Sequence, residues 1–113
     1  MTHDSDERSK RIRDLNDAFR RTFIGGTVLC TRDVLALPDA TRREILSRVR
    51  SFDAFTPDND PYGEHDFGAI DTPDHRVFFK IDYYLRDMES GSPNPSDPTI
   101  TSRVMTIMLA EEY

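Results

Sequence analysis

Apolar residues recur at intervals of three and four in two parts of the chain, which is the spacing of one helix face. The first set is Ile12, Leu15, Phe19 and Phe23, and the second is Ile45, Leu46, Val49 and Phe52. Glycine is preferred where a chain leaves a helix, and Gly25-Gly26 follow the first set. Proline presets a first helical turn, and Pro38 precedes the second set. We therefore predict two amphipathic helices, one over residues 9–23 and one that starts near residue 38.

Other segments have the composition or the alternation of strands. Residues 27–31 are short and rich in β-branched side chains. Residues 66–71 and 76–84 flank a turn at residues 72–75 and form the clearest hairpin, with one face made by Val77, Phe79, Ile81 and Tyr83. Residues 100–110 fit a helix or a strand, and we favour a strand because apolar groups lie on both of its faces, as in the centre of a sheet.

The element order α-β-α-β-β-β predicts an α+β fold. We expect one domain over residues 9–113, built from an antiparallel sheet of about four strands with both helices packed on one face. The polar and acidic residues 1–8 are predicted to be a disordered lead, and the proline-rich residues 85–98 a long surface loop.

The composition bears on disulfides, zinc binding, secretion and membrane insertion. The only cysteine is Cys30, so the chain has no cysteine pair for a disulfide and no cysteine cluster for zinc. The acidic start is unlike a signal peptide, and no apolar run approaches the ~20 residues of a membrane span. We expect a soluble, cytoplasmic protein that needs no cofactor and does not bind membranes.

Charge is unevenly distributed along the sequence. The net charge is −6, yet residues 1–50 hold 11 Lys and Arg against 8 acidic residues, whereas residues 51–113 hold 4 against 13. From Ser51 to His75 there is no Lys or Arg at all. Such a block is typical of a solvated face or of an interaction surface.

Residues 56–68 contain four carboxylates, one histidine, two glycines and two prolines. The candidate ligands for a hard cation are Asp58, Asp60, Glu64, His65 and Asp66. Counted from Asp58, the segment matches the first, third and sixth positions of a calcium loop, but Tyr62 and Ala69 occupy its fifth and twelfth positions. Because the bidentate glutamate is missing, we interpret the segment as a turn rich in Asp, Asn and Pro.

A metal-dependent hydrolase or nuclease is an alternative interpretation of the same residues. Its catalytic set would be Glu64, His65, Asp66 and Lys80, which together can hold a divalent ion and activate water. Restriction-type nucleases place an acid two residues before such a lysine, and here that residue is Phe78. A histidine without a defined partner is more often structural, and His65 is placed to cap Asp58 or Asp60.

The same segment could instead bind a partner without catalysing a reaction. The candidate contact residues are Asp53, Asp58, Asp60, Tyr62, Glu64 and Asp66. Direct contact with nucleic acid is electrostatically unfavourable for this half of the chain. The expected partner is a protein with a basic, nucleic-acid-binding cleft, into which spaced carboxylates fit as phosphates would.

Several segments together resemble a known family. They are residues 12–21, Gly25-Gly26, residues 58–68, residues 80–84 and residues 103–113, and the run Asn-Asp-Pro-Tyr-Gly-Glu-His-Asp-Phe-Gly at residues 59–68 is the most specific. The chain resembles a family of small bacterial proteins catalogued as domain of unknown function 3768. The resemblance implies members in alphaproteobacteria, often on plasmids and integrated mobile elements, and implies no catalytic residue.

Mobile elements commonly carry small non-enzymatic proteins that block CRISPR or restriction systems. The resemblance therefore favours a non-catalytic inhibitor of host defence (anti-CRISPR or anti-restriction) whose acidic segment, residues 53–74, binds a basic surface. The alternatives are the metal-dependent enzyme and a structural or regulatory module in which the dense segment serves only as a turn. The sequence leaves the oligomeric state open.

Overall fold

A computed structural model describes the chain from His3 to Tyr113, with side chains from Asp6 onward. Its elements follow the predicted order with two short additions, α2 and a final 3-10 turn. They are α1 (His3–Thr22), β1 (Thr27–Cys30), α2 (Arg32–Leu35), α3 (Asp39–Ser51), β2 (Phe67–Asp71), β3 (Arg76–Tyr84), β4 (Ser102–Leu109) and the 3-10 turn (Ala110–Glu112). The fold is α+β, as predicted, and β4 confirms that the ambiguous residues 100–110 contain a strand.

The four strands form one sheet in the order β1-β4-β3-β2. Strands β2, β3 and β4 pair antiparallel, but β1 runs parallel to β4, with Thr27 opposite Val104. The prediction of a purely antiparallel sheet is therefore wrong for β1. The reason is the route of the chain: helices and a hairpin separate β1 from β4, and such a crossover allows a parallel pair where a tight turn does not.

The helices cover one face of the sheet, as predicted. They contribute Phe19, Val34, Ile45 and Val49 to the core, all of them at most 1% exposed. The strand residues packed against them are Ile70, Val77, Phe79, Ile81, Met105, Ile107 and Leu109. These strand positions share one face because side chains alternate along each strand and the register aligns Phe79 with Ile107. The opposite face of the sheet carries none of these core residues.

Helix α1 is longer than the predicted helix over residues 9–23. It begins at His3, so most of the predicted disordered lead is helical, while residues 1 and 2 lie outside the described part of the chain. Acidic side chains such as Asp6 and Glu7 favour the positive end of a helix. The helix ends at Thr22, where Phe23 rather than a glycine adopts a left-handed backbone, with φ of 61°.

Among residues 3–113, no helix combines the length and the apolar character needed to cross a membrane.

Candidate functional site

Residues 53–66 connect α3 to β2, and we call them the acidic loop. Asp60 closes this loop from inside: its Oδ1 accepts hydrogen bonds from the backbone N–H groups of Glu64 and His65, both at 3.1 Å. The backbone N–H of Asp60 donates to the carbonyl of Thr56 at 2.8 Å. Asp60 is therefore only 8% exposed, and its carboxylate is a structural part of the turn rather than a surface group.

The imidazole of His65 is held between the acidic loop and α1. Its ring stacks on Phe55 with 3.8 Å between centroids, and its Nδ1 lies 2.8 Å from Asp17 Oδ1. Its Nε2 lies 3.7 Å from Asp60 Oδ2, so one of the two aspartates expected from the sequence is a neighbour and the other, Asp58, is not. His65 also has a left-handed backbone, with φ of 56°, which these contacts hold in place.

Asp17 links the histidine to a buried arginine. Arg20 is 1% exposed and donates from its Nη1 to Asp17 at 2.9 Å and from its Nη2 to the carbonyl of Phe52 at 3.0 Å. Burial acts to raise the pKa of Asp17, but the hydrogen bonds from His65 and Arg20 outweigh it and lower that pKa below its ordinary value. Helix α1 thus supplies a charged anchor for the loop.

Glu64 is held by a second set of hydrogen bonds. Its Oε1 accepts from the hydroxyl of Tyr83 at 2.8 Å, and its backbone carbonyl accepts from Asn16 Nδ2 at 3.0 Å. Asn16 Nδ2 also donates to the Tyr83 oxygen at 2.8 Å. Burial, assisted by the nearby Glu64 and Asp66, raises the pKa of Tyr83, so this phenol stays protonated. Glu64 is therefore occupied within the protein.

Arg103 extends this network across the sheet. It is 3% exposed, its Nε donates to Asn16 Oδ1 at 2.8 Å, and its guanidinium lies 5.3 Å from the centre of the Tyr83 ring. It also donates to the carbonyl of Pro95, which ties the loop after β3 to the rest of the molecule. Burial lowers the pKa of Arg103, but a guanidinium remains charged at any pH at which the protein folds.

Asp66 is the half-buried carboxylate where the acidic loop joins β2. Burial raises its pKa, and the negative charges of Glu64, Asp60 and Asp82 raise it further, to about 6. Asp66 can therefore carry a proton under mildly acidic conditions.

The structure does not assemble the predicted catalytic set. Glu64 and His65 bind groups of β3 and α1 on the helix side, whereas Lys80 lies on the opposite face of the sheet, 3.3 Å from Asp82. Among the side chains that the structure describes, residues 6–113, no three His, Cys, Asp or Glu groups are arranged as ligands of a metal ion. The metal-dependent enzyme thus stays a prediction from sequence, and this geometry adds nothing to it.

The acidic loop exposes three of the six predicted contact residues. Asp53 and Asp58 are exposed, and Tyr62 is 78% exposed. Asp66 is half-buried, and Asp60 and Glu64 face inward as described above. The loop is further fixed by Arg13, whose Nη1 donates to the carbonyl of Gly63 at 3.1 Å. The surface that the loop offers is therefore an aromatic ring among carboxylates on a fixed backbone.

The model of a family described as "Protein of unknown function (DUF3768)" matches residues 30–112, most of the chain. The chain belongs to this family. The match confirms the family that the sequence resembles. It includes the acidic loop, but neither Gly25-Gly26 nor α1, whose side chains hold that loop. No curated protein and no solved structure matches the chain.

In this DUF3768 chain, the residues that hold the acidic loop, directly or through another of these residues, were missed from the sequence. They are Arg13, Asn16, Asp17, Arg20 and Arg103. A signal was present for three of them: Asn16 and Arg20 continue the helical stripe of Ile12, and Arg103 alternates with Met105 and Ile107. A buried polar side chain is costly unless it forms hydrogen bonds, so polar residues at these core positions indicate a buried hydrogen-bond network.

Proposed function

We propose that the protein is a non-catalytic binding module whose acidic loop docks on a protein with a basic, nucleic-acid-binding cleft. The observation that carries this proposal is the exposure of Tyr62, at 78%, on a loop that is fixed from inside. Tyrosine is enriched among the residues that dominate binding energy at protein interfaces, because it combines a large apolar ring with a hydroxyl. A ring of this size in water is available to a partner.

The loop is preorganised for binding. The buried carboxylate of Asp60 closes its turn, and Arg13 and Asn16 bind the carbonyls of Gly63 and Glu64, the two residues that follow Tyr62. A surface that is ordered before association loses less conformational entropy when it binds. The dense polar groups of the segment thus serve binding indirectly, by holding Tyr62 in place.

Charge selects the class of partner. Within the described residues, neither Asp53 nor Asp58 forms an ion pair, so both carboxylates face solvent without a neutralising partner. Their field attracts a basic surface and repels nucleic acid. We further propose that the partner is a bacterial defence nuclease of the CRISPR or restriction type, met in the cytoplasm and blocked where its DNA or RNA would lie.

The test is capture of partners from a nuclease-treated lysate of a bacterium that carries the gene. We compare the wild-type chain with Tyr62→Ala and with Asp58→Lys. The matched control is Glu89→Lys, which reverses an exposed carboxylate in another loop. Loss of a residue that dominates an interface weakens the free energy of binding by about 2 kcal/mol or more. The amount of partner captured should therefore fall at least roughly tenfold for each loop variant.

Added duplex DNA should elute the captured partner, because both would occupy the same basic cleft. Capture that both loop variants preserve would contradict the role of the loop. A partner that resists DNA would contradict the proposed cleft.

A further inference from the structure

The sheet face that the helices leave uncovered, which we call the open face, carries apolar side chains among polar and charged ones. Alternation and register assign to it Leu29 of β1, Phe67 of β2, Phe78 of β3, and Val104 and Met108 of β4. Val104 and Met108 are each 6% exposed, but Leu29 at β1 is 50% exposed. The open face therefore still presents apolar surface to water, unlike the face packed against the helices.

Three aromatic rings cluster on the β2–β3 side of this face. The rings of Phe67 and Phe78 lie 5.1 Å apart, and Tyr113 folds back over both, at 5.9 Å and 5.6 Å. The ring of Tyr113 is nevertheless 73% exposed. A contiguous aromatic patch of this kind, rimmed by polar groups, is typical of a protein contact surface.

The open face differs from the rest of the surface in charge. It carries two basic and two acidic residues, which face each other as Arg76 with Asp71 and Lys80 with Asp82. The formal charge of these strand positions is thus balanced, whereas the chain as a whole has a net charge of −6. A basic partner is attracted to the acidic loop instead. Two copies of this chain repel each other least when they approach through the open face.

The charges of the open face are also self-complementary. Lys80 and Asp82 are two residues apart on the inner strand β3 and point to the same side. A two-fold axis that passes between them places Lys80 of each copy opposite Asp82 of the other. Such a contact is isologous, with each residue pair formed twice, as in most homodimers.

We infer that the open face is the contact surface of a homodimer. Four strands of about six residues, at the usual spacings along and between strands, give a sheet face of roughly 400 to 500 Å² per copy. Two copies packed face to face through it would bury about 1,000 Å² in total, with the side chains at the rim included. That area lies at the lower bound for a specific interface. The dimer is therefore weak, and dissociates in the micromolar range of concentration.

Sedimentation equilibrium over a wide range of concentration tests this inference. The wild-type chain should change from monomer to dimer as its concentration rises. Lys80→Asp places four acids at the contact and Asp82→Lys places four bases there, so each variant alone should remain monomeric at concentrations at which the wild type is dimeric. Glu89→Lys, with the same size of charge change outside the open face, should dimerise as the wild type does.

The decisive sample is an equimolar mixture of the Lys80→Asp and Asp82→Lys chains. One chain then carries two acids and the other two bases, so the mixture should form a heterodimer although neither chain self-associates. Both variants should fold, because both positions lie on the solvent side of the sheet, and circular dichroism checks this. A wild-type chain that stays monomeric, a dimer that both variants retain, or a mixture that does not associate would each overturn the inference.

Discussion

Asp66 illustrates how one residue can be placed at a cost to stability. Its pKa rises from 3.8 to about 6 in the folded protein, chiefly through burial and then through the charges of Glu64, Asp60 and Asp82. Below about pH 3 the carboxyl is protonated in both the folded and the unfolded state, and its pKa shift then has no effect on unfolding. As the pH rises from about 4 to about 6, the unfolded chain releases this proton before the folded protein does, so stability falls over this range, and above it ionised Asp66 destabilises the fold by a constant amount.

Replacement of Asp66 by Asn should therefore stabilise the protein at neutral pH. We expect the free energy of unfolding at pH 8 to rise by about 1 to 2 kcal/mol, a value limited by the water that still screens the carboxylate. The gain should shrink as the pH falls from 6 to 4. Urea denaturation at a series of pH values measures it.

The control is Asp53→Asn, which removes an exposed carboxylate of the same loop. It should change stability by less than about 0.5 kcal/mol at any pH. An Asp66→Asn chain that is no more stable than wild type at pH 8 would show that Asp66 is well solvated or favourably paired.

Strand β2 shows how an element can depend on an absent side chain. Gly68 faces the core, and a Cβ at this position would lie 2.3 Å from Phe79 and 2.9 Å from Phe52. Phe79 is fully buried and packs edge-on against Phe52, so neither ring can move away freely. The glycine thus lets β2 approach the aromatic core.

Gly68→Ala should destabilise the fold by about 1 to 3 kcal/mol, since overpacking forces rings and backbone to shift. Thermal unfolding followed by circular dichroism measures the change. Gly91→Ala is the matched control, because the nearest atom to its new Cβ is the Tyr83 carbonyl at 4.0 Å, an ordinary contact. Equal melting temperatures for the two variants would contradict this packing.

The elements that the sequence predicted well are those whose packing follows a local period. Strand β3 has the predicted bounds, residues 76–84, and buries Val77, Phe79 and Ile81 on the predicted face. The short α2 has too few residues to show a period. The pairing of β1 with β4 joins residues that are 77 positions apart, such as Thr27 and Val104, and no local pattern encodes it.

For the candidate site, the sequence indicated the acidic loop but not the distant residues that hold it. The density of polar groups at residues 56–68 identified the segment, and the glycine and proline content identified it as a turn. Asp17 lies 48 residues from His65, and Arg103 lies 87 residues from Asn16. Which carboxylates face inward depends on these distant partners, so Asp60 and Asp58 were indistinguishable in sequence.

Across the whole molecule, the Arg103 network joins parts of the chain that no single element connects. Arg103 of β4 binds Asn16 of α1, which in turn binds Glu64 of the acidic loop and Tyr83 of β3. Buried polar groups of this kind are costly to leave without partners. Loss of one member should therefore weaken the fold as a unit.

Arg103→Lys should lower the free energy of unfolding by about 2 to 4 kcal/mol. Lysine keeps the charge but lacks the planar group that binds Asn16 and Pro95 together, so a buried charge loses partners. Arg86→Lys makes the same chemical change at an exposed arginine that binds Pro98 and Thr99, and should cost less than about 1 kcal/mol. Chemical denaturation of both variants compares them directly, and similar losses would argue against the network.

The position of β4 governs when the sheet can form as the protein is made. Strand β4 is the last strand in sequence, yet it lies between β1 and β3 and is the strand to which β1 binds. Until residues 102–109 have been synthesised, β1 has no strand partner and only the hairpin of β2 and β3 can pair. Pairings between distant segments form slowly and leave apolar surface exposed in the meantime. The sheet is therefore completed late, after nearly the whole described chain exists.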